Sequence, residues 1–271
     1  MKQLRISIGG VRGIVGQGLT PDLAVRFAQA FGTYVGPGTV LISRDTRRSG
    51  QMVQQCVIAG LLGAGCEVID LGICPTAALQ LAVRSSDAVG GIAITAGHND
   101  ARWNALKFIR GDGIFFNPRQ AEELLDIFHQ GSFNQATWSM LRPVKTDSEA
   151  PQRHLEAIVS QVDVQAISQA GLKVAVDCVN GACSHFSPTL LEMLGCKPVA
   201  INTDIGLGFP HPPEPAAQNL GQLRALVQAT GADIGFAHDA DGDRLAIVCE
   251  DGSAPGEETT LCLVAEMIFS R

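Results

Sequence analysis

The sequence predicts an α/β protein made of two tandem, related α/β domains with mixed, largely parallel sheets. Three observations carry that expectation. The chain has 271 residues, enough for two domains with cores of their own. Its residues are 46% hydrophobic but only 5% aromatic, so those cores must be Val, Ile, Leu and Ala rather than stacked rings. And one pattern occurs twice: an apolar strand ending near an aspartate, a helical stretch, a Gly-Cys turn and a second strand.

In the first half the pattern begins with a strand at 40–43 followed by Asp45. A helical stretch at 52–62, the turn Gly65-Cys66 and a strand at 68–71 complete it. In the second half the strand is 173–176, followed by Asp177. A helical stretch running to Leu194, the turn Gly195-Cys196 and a strand at 198–201 follow. Each half then adds a strand that runs into a polar loop, GGIAITAGHND at 90–100 and ADIGFAHDADGDR at 232–244. Strand, helix, strand with a glycine-marked turn is the signature of βαβ units, whose sheets place ligands at the strand ends. The polar, non-periodic stretch PVKTDSEAPQ at 143–152 separates the halves, giving domains at 1–147 and 148–255. Residues 256–271 read as a helix with an apolar face that opens a further domain rather than packing back on the second.

Charge and cysteine usage narrow the function. The net charge is −7 and no run of Lys and Arg forms a stripe, which argues against nucleic acid as a partner. An anionic substrate would have to be met locally, by placed arginines and a metal. The eight cysteines show no CxxC spacing and lie mostly in apolar runs, where a thiol behaves as a small core residue. The first residues show no secretory leader, and no apolar run is long enough to span a membrane. A cytoplasmic protein is the expectation.

The run HDADGDR carries the clearest chemistry. Asp239, Asp241 and Asp243 alternate directly after an apolar strand, with Gly242 allowing a tight backbone path. Alternate carboxylates leaving a strand end can converge on one hard cation, and three oxygen ligands with open positions suit Mg²⁺. Arg244 could then grip a phosphate oxygen with its planar fork. An acidic surface turn is the competing reading. An EF-hand is excluded because Arg244 stands where its loop needs glycine and residues 245–249 read as a second strand. A haloacid-dehalogenase-type DxDG opening is excluded because only residues 245–271 follow.

Other segments are weaker individually. In TAGHND at 95–100, Gly97 permits close backbone approach to a ligand while His98 and Asn99 offer polar groups. Lys107 follows in WNALKF, where Trp103 and Phe108 could pack beneath the loop; a plain turn and a solvated lysine read equally well. In SIGGVRGIVG at 7–16, four glycines surround Arg12 and could wrap an anion, although the spacing is not that of a dinucleotide fingerprint. Arg44, Arg47 and Arg48 in SRDTRRSG read first as a solvated helix start and only second as phosphate ligands. FPHPPEP at 209–215 reads as a rigid loop, with a substrate contact from His211 as the minority alternative.

Taken in order, these motifs resemble the amino-terminal half of an α-D-phosphohexomutase, the superfamily of phosphoglucomutase, phosphomannomutase and phosphoglucosamine mutase. SIGGVRG and WNALK lean mildly toward the phosphoglucosamine branch. The resemblance implies its domains I and II, ending at the start of a third. It implies a phosphoserine loop that donates its phosphoryl group to a hexose phosphate, releases a hexose 1,6-bisphosphate for reorientation and recovers the other phosphate. It implies Mg²⁺ on Asp239, Asp241 and Asp243. Arg12 and Arg244 would lie near the phosphate, Lys107 in proton transfer and His98 beside the nucleophile. Domains III and IV would come from elsewhere in a longer or second chain. One departure is chemical: Gly97 occupies the phosphoserine position, and glycine has no atom to carry phosphate. Thr95 and His98 are the substitute nucleophiles to consider. A catalytically silent protein that binds Mg²⁺ and phosphosugar is therefore the alternative expectation.

Overall fold

The computed structural model describes residues 4–7 and 10–270. They form two compact units, Met1–Ala96 with Ala101–His154, and Leu155–Arg271 with Gly97–Asp100. The division falls inside a helix.

The first unit opens with β1 (Leu4–Ser7) and β2 (Gly10–Ile14), an antiparallel pair. The glycine-rich stretch read as an anion-wrapping loop is therefore strand from Gly10 onward, while Ile8 and Gly9 lie outside the described residues. Gly10 serves close strand approach. A Cβ on Gly10 would fall 2.0 Å from the Leu106 carbonyl oxygen. Helix α1 (Pro21–Val35) starts with proline in its first turn, where the missing N–H costs nothing. Its apolar face, Ala24, Phe27, Ala28 and Phe31, recurs at helical spacing and is fully buried. Then come β3 (Thr39–Arg44), α2 (Gly50–Gly63), β4 (Glu67–Ile73), α3 (Thr76–Arg84), β5 (Gly90–Ile94) and β6 (Trp103–Arg110). Helix α4 (Pro118–Gln130) is capped by a reciprocal Asn117–Gln120 box and ends on Gly131 in the left-handed region.

A two-residue strand, β7 (Lys145–Thr146), completes the sheet in the order β1-β2-β6-β5-β3-β4-β7. It lies in the stretch read from sequence as an unstructured linker. Two residues carry no periodicity, so only the neighbouring strand edge reveals them. Ladders among β3, β4, β5 and β7 are parallel, and those joining β1, β2, β6 and β5 are antiparallel.

Alternation along the strands sorts the core into two layers. Val40, Ile42, Ile92 and Ile94 face one core with α1, α2 and α4, where Phe27 stacks on Phe128 with centroids 3.9 Å apart. Leu41, Ala93 and Ile109 face the other, against Ala78, Leu79 and Val83 of α3.

Helix α5 (Ala150–Val159) spans the division between the units. The second unit continues with α6 (Val164–Ala170), β8 (Lys173–Asp177), α7 (Phe186–Met193), β9 (Lys197–Ile201), α8 (Gly221–Thr230), β10 (Ile234–His238), β11 (Leu245–Cys249) and α9 (Glu257–Phe269). Its sheet runs β11-β10-β8-β9, with β11 the antiparallel edge and the other ladders parallel. Val174 and Val176 pack with Leu191 of α7, and Ala175 packs with Leu223 and Val227 of α8 on the opposite face. The repeat read from sequence is thus β3-α2-β4 in one unit and β8-α7-β9 in the other. Along α9, Leu261, Met267, Ile268 and Phe269 are exposed. Among the described residues no helix is long and apolar enough to cross a membrane.

Candidate functional site

Both halves of the repeat end their first strand on the same device. Asp45, one residue past β3, and Asp177, closing β8, are each 1% exposed. Each accepts through Oδ1 the backbone N–H two residues on, from Arg47 and Val179 respectively, both at 2.9 Å. This Asx turn bends the chain off the sheet without leaving a buried amide unpaired. The second carboxylate oxygen then reaches another loop.

In the first unit, Asp45 Oδ2 pairs with the Arg47 guanidinium and accepts the Thr95 hydroxyl at 2.6 Å. Arg47 is 3% exposed, so it is not the solvated residue expected from SRDTRRSG. Breaking a buried pair costs about 3–5 kcal/mol, whereas a hydrogen bond to a charged group returns about 1.5–3 kcal/mol. Arg47 therefore holds structure rather than phosphate. Arg44 donates to Gln54 and to the Asp45 carbonyl, and Arg48 is exposed. Strand β5 ends at Ile94, and the Thr95 hydroxyl turns inward to Asp45. It does not sit on the loop as a substitute nucleophile. Gly97 adopts φ +54°, and His98 and Asn99 are half-buried beyond it.

Arg12 and Lys107 lie on the same face of this sheet. Arg12 sits opposite Ala105 of β6, and Lys107 is two residues farther along that strand, opposite Ala93 of β5. Lys107 Nζ is 5.9 Å from the Phe115 ring centroid. Trp103 and Phe108, expected under the loop, go elsewhere. Phe108 is buried against Phe31 and Phe116, and Trp103 lies under the Arg5 guanidinium at 5.6 Å. Arg5, opposite Arg12 across β1 and β2, is a third cation on that face. Only the strand register brings it there, so no sequence motif flags it.

In the second unit the aspartate loop is the hairpin connection between β10 and β11. Asp239 Oδ1 accepts the N–H groups of Asp243 and Arg244 at 3.1 and 3.2 Å, closing the loop on itself. Gly242 turns at φ +71°. One carboxylate oxygen from each of Asp239, Asp241 and Asp243 then lies within 4.8 Å of the others, the first two residues buried and the third exposed. Three carboxylates this close in a partly desolvated loop repel one another, which a bound cation would offset, and an all-oxygen donor set favours a hard divalent cation. The residues present fit Mg²⁺ on that ground. Asp243 and Arg244 also line a cleft of about 450 Å³ with Leu245, Glu258, Thr260 and Leu261. Arg244 is 3.7 Å from Glu214.

His211 is directed inward. Its Nε2 lies 3.0 Å from Asp177 Oδ2 and its Nδ1 2.9 Å from the Pro212 carbonyl oxygen. Both partners are acceptors, so the imidazolium satisfies them with two N–H donors, and the Asp177 bond raises its pKa above 6.5. The minority reading of His211 as a substrate contact gives way to a latch that pins the proline-rich loop to β8. The cysteines are free thiols, and burial pushes Cys74 and Cys178 up to about 12, as expected for inert core residues.

The His211 latch has a pH signature. A folded-state pKa above the unfolded one gives stabilisation that is complete below 6.5 and lost as pH rises through the folded value. The stability lost in His211→Ala, read from urea midpoints, should be largest below pH 6.5 and shrink well above it. A difference independent of pH would show that the imidazolium is not the bonded form.

Comparison with known proteins gives a consistent match. The family model described as phosphoglucomutase/phosphomannomutase, alpha/beta/alpha domain I, matches residues 6–135, and that for domain II matches residues 152–252. A protein of Methanopyrus kandleri named as a probable phosphoglucosamine mutase is 38% identical over 261 residues, covering 96% of this chain and 57% of that protein. A phosphoglucomutase/phosphomannomutase of Thermococcus kodakarensis is 37% identical over 266 residues, covering 96% of this chain and 58% of that one. Among solved structures, a phosphoglucomutase/phosphomannomutase family protein of Burkholderia thailandensis superposes with TM-score 0.83 at 28% identity, over 98% of this chain and 60% of that chain. The chain thus spans somewhat over half the length of the relatives it matches.

Proposed function

Because the chain belongs to the phosphoglucomutase/phosphomannomutase family, we propose that it carries the donor-loop and metal-loop domains of a phosphohexomutase. The reaction is an intramolecular phosphoryl transfer between the 1- and 6-positions of a hexose phosphate, by way of the hexose 1,6-bisphosphate. Glucosamine phosphate is the sugar this reading favours, in keeping with the naming of the Methanopyrus relative. The domains that complete such an enzyme would be supplied by further chain or by a partner.

The observation that carries the reading is the convergence of Asp239, Asp241 and Asp243 beside Arg244, at the strand end of the second family domain. Mg²⁺ held by those carboxylates would offset charge on the transferring phosphoryl group. Arg244 and Arg12 would position phosphate oxygens through charge-assisted hydrogen bonds. Lys107 would move the proton of the sugar hydroxyl, and His98 and Asn99 would orient the group at the donor position.

One residue favours a second reading. Gly97 stands at the family's phosphoserine position, so the covalent step cannot take place there. With the Thr95 hydroxyl turned to Asp45, the loop's first alternative is also withdrawn. On this reading the chain binds Mg²⁺ and phosphosugar without turnover.

Two measurements test these statements. Calorimetry should show Mg²⁺ binding that weakens at least about tenfold in Asp241→Asn. The same response in both chains would remove the metal assignment. Intact mass after incubation with glucose 1,6-bisphosphate and Mg²⁺ should show one phosphoryl adduct on Gly97→Ser and none on the natural chain. Serine at φ +54° is strained by about 1–2 kcal/mol, which the loop can bear. An unmodified serine variant would mean that this is not a donor loop, whereas an adduct on His98 of the natural chain would show that His98 accepts the phosphoryl group and overturn the silent reading of the donor step.

A further inference from the structure

Between β8 and α7 the chain makes a turn, Cys178–Ser184, whose residues are all buried. Two of them hold positive φ without being glycine, Val179 at 47° and Asn180 at 54°. A β-branched residue there is an outlier, and such conformations persist only where the surroundings over-determine them. Here they do. Asp177 holds the Val179 amide and also takes Asn202 Nδ2 and His211. The Cys178 and Asn180 amides donate to the Ile201 and Asn202 carbonyls, the second at 2.6 Å. The Asn180 side chain donates to Gly208 O and accepts from Asp204 N. The turn is clamped from several sides.

Its far side meets the aspartate loop, backbone to backbone. The Ala182 N–H donates to the Ala240 carbonyl at 2.9 Å. A Cβ on Gly181 would fall 2.7 Å from the Ala240 oxygen and 3.0 Å from its Cα. Ala240 is fully buried and stands between Asp239 and Asp241, both buried themselves. Those are main-chain contacts, which no side-chain rotation can relieve.

We propose that Val179–Ala182 is the positioning element of the aspartate loop, and that the bare Cα of Gly181 sets how well the loop discriminates Mg²⁺ from larger cations. The inference rests on reading Asp239, Asp241 and Asp243 as a divalent-cation site. A methyl group at 181 cannot push the clamped turn away, so it displaces the Ala240 peptide and with it the two carboxylates on either side. Mg²⁺ demands near-octahedral geometry at short distance, whereas Ca²⁺ accepts longer and irregular coordination. Misplacement of the loop therefore harms Mg²⁺ far more than Ca²⁺. Gly181 and Asn180 would act through the loop, as positioning residues.

The test is calorimetric titration of the natural chain, Gly181→Ala, Asn180→Gly and Leu223→Ala with MgCl₂ and separately with CaCl₂. Gly181→Ala should weaken Mg²⁺ by about tenfold or more, in the range typical of residues that orient metal ligands, and Ca²⁺ much less. Should Gly181→Ala fail to fold, Asn180→Gly serves in its place. It removes the side-chain clamp and relaxes the backbone strain, and the Mg²⁺ preference should fall in the same direction. Leu223→Ala weakens the core of the same unit away from the turn and should leave the preference unchanged. An unchanged preference in the folded turn variants, or an equal shift in Leu223→Ala, would overturn the inference while leaving the cation site standing. No binding of either cation to the natural chain would overturn the site and this inference together.

Discussion

A buried carboxylate at the end of a parallel strand is the interaction on which each unit depends. An α/β sheet delivers its strands to one edge, where every chain must leave the ladder and its amides lose their partners. Asp45 and Asp177 meet that requirement in the same way, by taking the amide two residues on. Because each is buried, its remaining oxygen must also be satisfied, and it is satisfied by residues that root neighbouring loops. Asp45 takes Arg47 and Thr95, the residue from which the loop at 96–100 springs. Asp177 takes His211, which pins the proline-rich loop. Stranding such a carboxylate would cost about 3–5 kcal/mol, which opposes release of these bonds.

The aspartate loop is built by the same economy of backbone and carboxylate. Asp239 spends one oxygen on the amides of Asp243 and Arg244, which folds the connection back into β11 and brings the three carboxylates together. Like charges gathered this closely repel one another, and a cation bound between them would relieve that repulsion. Preorganisation of this kind is what phosphoryl transfer asks of a protein, since positioning and charge account for most of its catalysis. Under the proposed reading, Gly97 would stand at the donor position without an atom to carry phosphate.

Much of this was legible in the sequence because it rests on local spacing. Alternate aspartates after an apolar strand announce convergence, and the twice-repeated strand, aspartate, helix and Gly-Cys turn announces two related sheets. What escaped depends on distant partners. Arg47 reads as solvated because nothing local says that Asp45 will bury it. The inward bond of His211 escapes because its acceptor, Asp177, lies 34 residues away. Strand β7 is too short to carry a period, and Arg5 joins Arg12 only through the register of β1 on β2. Gly10 suggests a loop, yet it permits strands to pack closely, a role visible only with the facing strand in place.

The most direct test of the account is amide hydrogen exchange on the natural chain and on Asp177→Ala. If the strand-end carboxylate orders the loops beyond it, exchange should quicken together at Val179, at Ala182 and at Asp243 and Arg244, while Ala175 in the strand stays protected. Faster exchange at Val179 alone, with Ala182 and the aspartate loop unchanged, would contradict it and reduce Asp177 to a local turn.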